Sequence, residues 1–188
     1  NKSIIYADST IYVSNSSIDK DNWRTRSSND FDDVGAYYDE DEDKFHLYYE
    51  KGNKSEFSGH SIGHAVSENG LNDWKIYPEV WNGSKTQYGV GDFNVIEIED
   101  KIVIFGDYNK KHPKYKVAVW SNDNPYTDFE RSDSFAMRPR NSEGEYSDNY
   151  GVGDPDILKT DNNEYIMFAN GHSNSSDKSI LQLYKGEI

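Results

Sequence analysis

The chain has 188 residues, no cysteine and a formal net charge of −14, and its 15 Tyr, 8 Phe and 4 Trp give an aromatic content of 14%. The length suits one domain of about 100–200 residues with a real core, and the aromatic load argues against disorder. The negative charge disfavours nucleic-acid phosphates and anionic membrane surfaces as partners, the missing cysteines exclude disulfide and thiol chemistry, and no run of 18 apolar residues is present to cross a membrane as a helix.

Residues 1–28 begin without Met, which points to processing or to a piece of a longer protein. They hold two short apolar runs, Ile4-Ile5-Tyr6-Ala7 and Ile11-Tyr12-Val13-Ser14, which read as strands. Residues 31–83 form the first full unit. Its strands are predicted at Val34–Tyr38, Lys44–Tyr49, Ser61–Ser67 and from Asp73, with turns at Asp39–Asp43 and Asn69-Gly70. Residues 88–139 repeat that order, with strands at Phe93–Ile98, Lys101–Phe105 and Tyr115–Ser121 and a fourth beginning at Asp128. Residues 150–188 start it again with strands at Asp156–Lys159, Tyr165–Ala169 and Ile180–Tyr184. No segment shows capped helical periodicity.

Each unit opens on an aspartate. Tyr88-Gly89-Val90-Gly91-Asp92 and Tyr150-Gly151-Val152-Gly153-Asp154 match letter for letter, and Phe31-Asp32-Asp33-Val34-Gly35 is a weaker copy. Asp33 precedes Asp92 by 59 residues, and Asp92 precedes Asp154 by 62. A repeat of about 60 residues with four short strands per unit predicts an all-β fold, a β-propeller or part of one. Trp23, Trp74 and Phe129 follow the third strands of their units at 7–9 residues and are expected to fill the gaps between blades.

The blade opening Gly153-Asp154-Pro155-Asp156-Ile157-Leu158, its acidic turn Asp161-Asn162-Asn163, and the later run Ile62-Gly63-His64-Ala65-Val66-Ser67 leading to Trp74 resemble the five-bladed β-propeller glycoside hydrolases. These are the arabinanase/β-xylosidase clan, family 43, with its invertase and levansucrase relatives. The resemblance implies cleavage of glycosidic bonds by inward-facing carboxylates. By the same resemblance Asp33, or Asp32 beside it, matches the catalytic base and Asp154 the aspartate that tunes the acid, with Asp92 on the opening between them. The family's general-acid Glu has no matching position, and Glu143 or Glu145 stands in for it. Five such blades need roughly 300 residues, so the resemblance also implies further blades, from a larger protein or from other copies of this chain in a homo-oligomer. The N-terminal strands are expected to share a blade with the last unit.

Around these aspartates, His60, His64 and His172 are candidates to line the funnel and contact sugar hydroxyls, against the plainer reading of satisfied loop histidines. Trp81, Tyr88, Tyr146 and Tyr150 flank the openings and are candidates to stack on sugar rings, against the plainer reading of packing. Asp39-x-Asp41-x-Asp43 with Glu50 imitates a calcium loop, but Lys44 stands where the sharp turn needs Gly, so an acidic hairpin tip is the preferred reading and no cofactor is expected. The partner expected is a carbohydrate, met outside the cell or at a cell or virion surface. The alternative is a non-catalytic carbohydrate-binding or structural propeller.

Overall fold

The computed structural model describes residues 30–52, 59–71, 73–83, 89–109, 115–139, 150–161, 164–173 and 180–186. The strands expected within 1–28, with Trp23, lie outside them. The described residues contain no helix and form three antiparallel sheets. The first is a meander of β1 (Asp30–Asp39), β2 (Lys44–Gly52), β3 (Ser61–Ser67) and β4 (Lys75–Trp81). The second is a meander of β5 (Gly89–Ile98), β6 (Lys101–Asn109), β7 (Lys116–Asn122) and the short β8 (Glu130–Arg131). The third holds β9 (Tyr150–Lys159), β10 (Tyr165–Ser173) and β11 (Ile180–Gly186). This is the blade order that the repeat predicts. One detail differs: the Gly-x-Gly-Asp openings are not loops ahead of the strands but the first residues of β5 and β9.

The second sheet sits between the other two, because β5 packs on both β1 and β9. Alternation along β6 explains how one strand serves two interfaces, since successive side chains point to opposite faces. Ile102 and Ile104 join Tyr48, Ile62 and Val80 of the first sheet in one core, together with Phe93, Trp120 and Phe129. Val103 and Phe105 join Val152, Ile157 and Ala169 of the third sheet in another. Each fully buried side chain of this size contributes about 1.5–3 kcal/mol. Phe129 therefore fills an inter-blade gap as expected. Trp74 packs with Tyr49 and Ala65 of its own sheet, apart from the core shared with the second sheet. Trp81 meets Trp120 edge-on, with ring centroids 5.5 Å apart, and belongs to the inter-blade core.

Polar ties cross the same seams. The Tyr37 hydroxyl donates to Glu97 at 2.7 Å, Tyr126 donates to Glu42 at 2.6 Å, and Asn94 donates to Asp156 at 3.1 Å. At the β1–β2 tip, Asp39 Oδ1 accepts from the N–H groups of Asp41 and Glu42, which is a side-chain-capped turn. Glu50 lies toward the far end of β2 from that tip, paired with His60.

Candidate active site

Asp33, Asp92 and Asp154 occupy one structural position three times. In β1 the pairing with β2 slips between Asp32 and Val34, in β5 it slips between Gly91 and Asn94, and in β9 the partner register slips between Phe168 and Asn170. Each first strand thus carries one extra residue, a β-bulge, which bends the strand and re-aims a side chain. The three aspartates hold φ angles of 38°, 49° and 52°. That left-handed region is costly for most L-residues, but a short polar side chain that bonds locally tolerates it. The repeated aspartate therefore satisfies the bulge as well as facing the site.

The bulges bring these carboxylates together. Asp92, Asp107 and Asp154 each place an oxygen within 4.8 Å of the other two. Asp33 joins from β1. Its Oδ2 would be 2.5 Å from a Cβ added to Gly91, and Glu50 Oε2 would be 3.3 Å from the same point. Glycine before the aspartate is what lets the neighbouring blade's carboxylate approach. Gly153 does the same for Asp107, whose two carboxylate oxygens would lie 2.3 and 2.5 Å from its added Cβ.

Asp107 and Glu50 were not legible as site residues from sequence, although a signal for them exists. Glu50, Asp107 and Asn170 pair with Asp32, Gly91 and Gly153, the residues just before the three bulge aspartates. They follow those aspartates by 17, 15 and 16 residues. Each blade thus supplies a bulge aspartate and a polar residue across from it on the second strand. In the third blade the pair bonds directly, with Asn170 Nδ2 donating to Asp154 Oδ2 at 2.8 Å. Between blades, the N–H of Asp154 donates to Asp107 Oδ1 at 3.0 Å.

Crowded carboxylates in partial burial cannot all stay ionised. Burial, then the charges of Asp33 and Asp154, raise the Asp92 pKa well above the ordinary carboxylate range. Asp107 is 4% exposed; burial, then the Asp92 and Asp154 carboxylates, push it up to about 9. Tyr115, just before β7, is pushed up to about 12 by burial and then by the same cluster, so its phenol stays protonated beside it. His60, buried beside the cluster, pairs through Nδ1 with Glu50. Three carboxylate oxygens this close stay together only when protons or a cation offset their repulsion.

The other candidates are distributed differently. His60 enters the site through Glu50. His64 does not: it lies in β3 between the first two sheets, stacked on Tyr48 and 2.9 Å from His46. Tyr150 and His172 fall in β9 and β10 as the paired ends Tyr150↔Ser173 and Gly151↔His172. Tyr88, Glu143, Glu145 and Tyr146 lie outside the described residues. A second acidic hollow of about 320 Å³, lined among others by Asp39, Glu40, Glu97 and Asp100, opens at the opposite ends of the strands.

No protein-family model and no curated protein matches the chain. Solved structures do. An exo-β-1,3-galactanase from Clostridium thermocellum is similar over 81% of this chain and 33% of its own, with TM-score 0.61 and 16% identity. An endo-arabinase from Bacteroides thetaiotaomicron is similar over 84% and 56%, with TM-score 0.58 and 10% identity. An N-acetylgalactosamine deacetylase from F. plautii, solved with blood group B trisaccharide, is similar over 81% and 48%, with TM-score 0.56 and 11% identity. The chain spans between a third and just over half of these neighbours' lengths. At such identities the likeness shows the fold, an all-β propeller arrangement of antiparallel blades shared with carbohydrate-active enzymes. It does not carry one chemistry, since hydrolases and a deacetylase share it.

Proposed function

We propose that this domain cleaves glycosidic bonds of a poly- or oligosaccharide with the carboxylates gathered at its three bulges. One observation carries this reading: aspartates from three separate blades, each held in the same left-handed bulge, meet in a single cluster, where burial and the neighbouring carboxylates raise the proton affinity of Asp92. General acid–base cleavage of a glycoside needs one carboxyl that keeps its proton near neutral pH and one that has lost it. Asp92, half-buried and with raised proton affinity, is suited to protonate the leaving oxygen. Asp33, on the neighbouring strand, is suited to act as the base, and Asp154 to hold the proton affinity of the group beside it. The five-bladed hydrolases that the sequence resembles and the hydrolases among the structural neighbours support the substrate class.

The test is release of reducing sugar from aryl glycosides and from arabinan, xylan and galactan oligosaccharides. Turnover is expected, and Asp33→Asn and Asp92→Asn should each lower it by about 10²–10⁴-fold, the usual contribution of a positioned acid or base. Turnover unchanged in both variants would remove these residues from the mechanism. A second reading has its own observation. Oxygens of Asp92, Asp107 and Asp154 lie within 4.8 Å, closer than the roughly 5–5.5 or 6.5–9.5 Å that separates carboxyls flanking a scissile bond. Oligosaccharide binding by calorimetry with no turnover of any substrate would establish this second reading, a carbohydrate-binding propeller.

A further inference from the structure

We propose that Asp107 is a permanently protonated carboxylic acid at neutral pH, a positioning residue that holds Asp92 and Asp154 together and keeps a proton in the cluster. The proposal deepens the hydrolytic reading and rests on it for its catalytic meaning, whereas the protonation rests on the burial and packing of Asp107 among other carboxylates.

Asp107 comes from β6, the second strand of the middle blade, and is buried. Its carboxyl is fixed from two sides. Oδ1 accepts the N–H of Asp154 at 3.0 Å. Both oxygens press on Gly153, where even a methyl group would collide. The groups facing it are nearly all acidic: Asp92 from β5, Asp154 from β9, Asp33 from β1, and Glu50 of β2 beyond them. Tyr115 adds a neutral phenol. Nearby, His60 pairs with Glu50, and the Lys116 ammonium lies over the Phe135 ring at 5.2 Å. An ionised Asp107 would be a buried anion whose strongest electrostatic neighbours are other anions. A neutral one accepts from the Asp154 backbone through Oδ1 and has an O–H with which to bridge toward the Asp92 or Asp154 carboxylate. That is the arrangement of a shared-proton carboxylate site.

The sign of the pH dependence follows. The folded state keeps the proton up to about pH 9, whereas an unfolded Asp releases it near 3.9. Between those values the folded state binds one more proton, so stability falls as pH rises, the unfolding constant growing about tenfold per pH unit from this group.

The experiment is denaturant unfolding from pH 4.5 to 8.5 on the parent and on Asp107→Asn, whose amide reproduces the neutral acid's donor and acceptor. The expected result is a slope in the variant smaller by about one proton, giving an unfolding constant lower than the parent's by several orders of magnitude at pH 8.5. Equal slopes overturn the proposal, as does a parent whose pH dependence vanishes on adding 1 mM EDTA, which would place a cation where the proton is assigned. If the variant does not fold, carboxyl-carbon NMR of the aspartate-labelled parent decides: a resonance that stays at the shift of a protonated carboxyl up to pH 8 supports protonation, and complete titration of every aspartate below pH 6, or a flat resonance at the carboxylate shift, overturns it. Glycosidase turnover is measured on the same samples. A slope change without turnover in either protein leaves the proton assignment and removes the hydrolytic reading; turnover with equal slopes does the reverse.

Discussion

Gly91 and Gly153 show how a single missing methyl group shapes the cluster. An alanine at 153 would drive its Cβ into Oδ1, Oδ2 and Cγ of Asp107, all under 3.0 Å, and Asp107 is too buried to swing away. An alanine at 91 comes under 3.0 Å of one atom only, an oxygen at the end of the half-buried Asp33 side chain. Overpacking a fixed site costs about 1–3 kcal/mol. Gly153→Ala is expected at the upper end of that range and Gly91→Ala at the lower, as read from urea midpoints at constant slope. Equal losses would show that the Asp107 carboxyl is not clamped. The bulge aspartates were legible in the sequence because they recur with their neighbours. Glu50, Asp107 and Asn170 were not, because their position is a relation between paired strands, and only the register reveals it.

Strands β2 and β3 carry a second titrating pair, unrelated to the cluster. His46 Nδ1 and His64 Nε2 are 2.9 Å apart, one donating and the other accepting, while His46 Nε2 and His64 Nδ1 have no partner. Burial lowers the proton affinity of both, and holds His64 down to about 3. Unfolded histidine protonates near 6.5, so below that pH the unfolded state binds more protons and stability falls as pH drops. Replacing both rings together, His46→Phe with His64→Phe, removes the polar pair without orphaning one partner. The double variant is expected to match the parent within about 1 kcal/mol at pH 7 and to exceed it at pH 5. A difference between the two proteins that is the same at both pH values would show that the pair does not titrate. Sequence reading treated His64 as a loop or funnel residue. The error is instructive, because β3 is buried along its whole length, and a strand buried on both faces gives no alternation to show which way a histidine points. The strand order itself was readable, since turn residues punctuate every blade. The early start of β5 and β9 was not, since glycine-rich openings read as loops until pairing is seen.

For the molecule as a whole, the two titrating systems act from opposite sides. Carboxylates that keep protons destabilise the fold as pH rises above about 4, and histidines that refuse them destabilise it as pH falls below about 6.5. A stability maximum between those limits follows, which a thermal-melt series across pH would locate. A net charge of −14 adds self-repulsion, concentrated at the bulge cluster and at the acidic hollow on the opposite strand ends. Raising NaCl from about 0.01 to 0.5 M shortens the screening length from roughly 30 Å to a few ångströms, so the melting temperature at pH 8 is expected to rise with salt. A melting temperature independent of salt would show that burial, rather than mutual repulsion, sets the carboxylate energetics. The repeated bulge also has a meaning for engineering. Because Asp33, Asp92 and Asp154 share one backbone frame with Glu50, Asp107 and Asn170 opposite them, the centre is built from three matching pairs of sockets. A letter moved from one blade to the matching socket of another changes the charge in a single step without asking the chain for a new turn, which makes the molecule a ready frame for grading acidity by design.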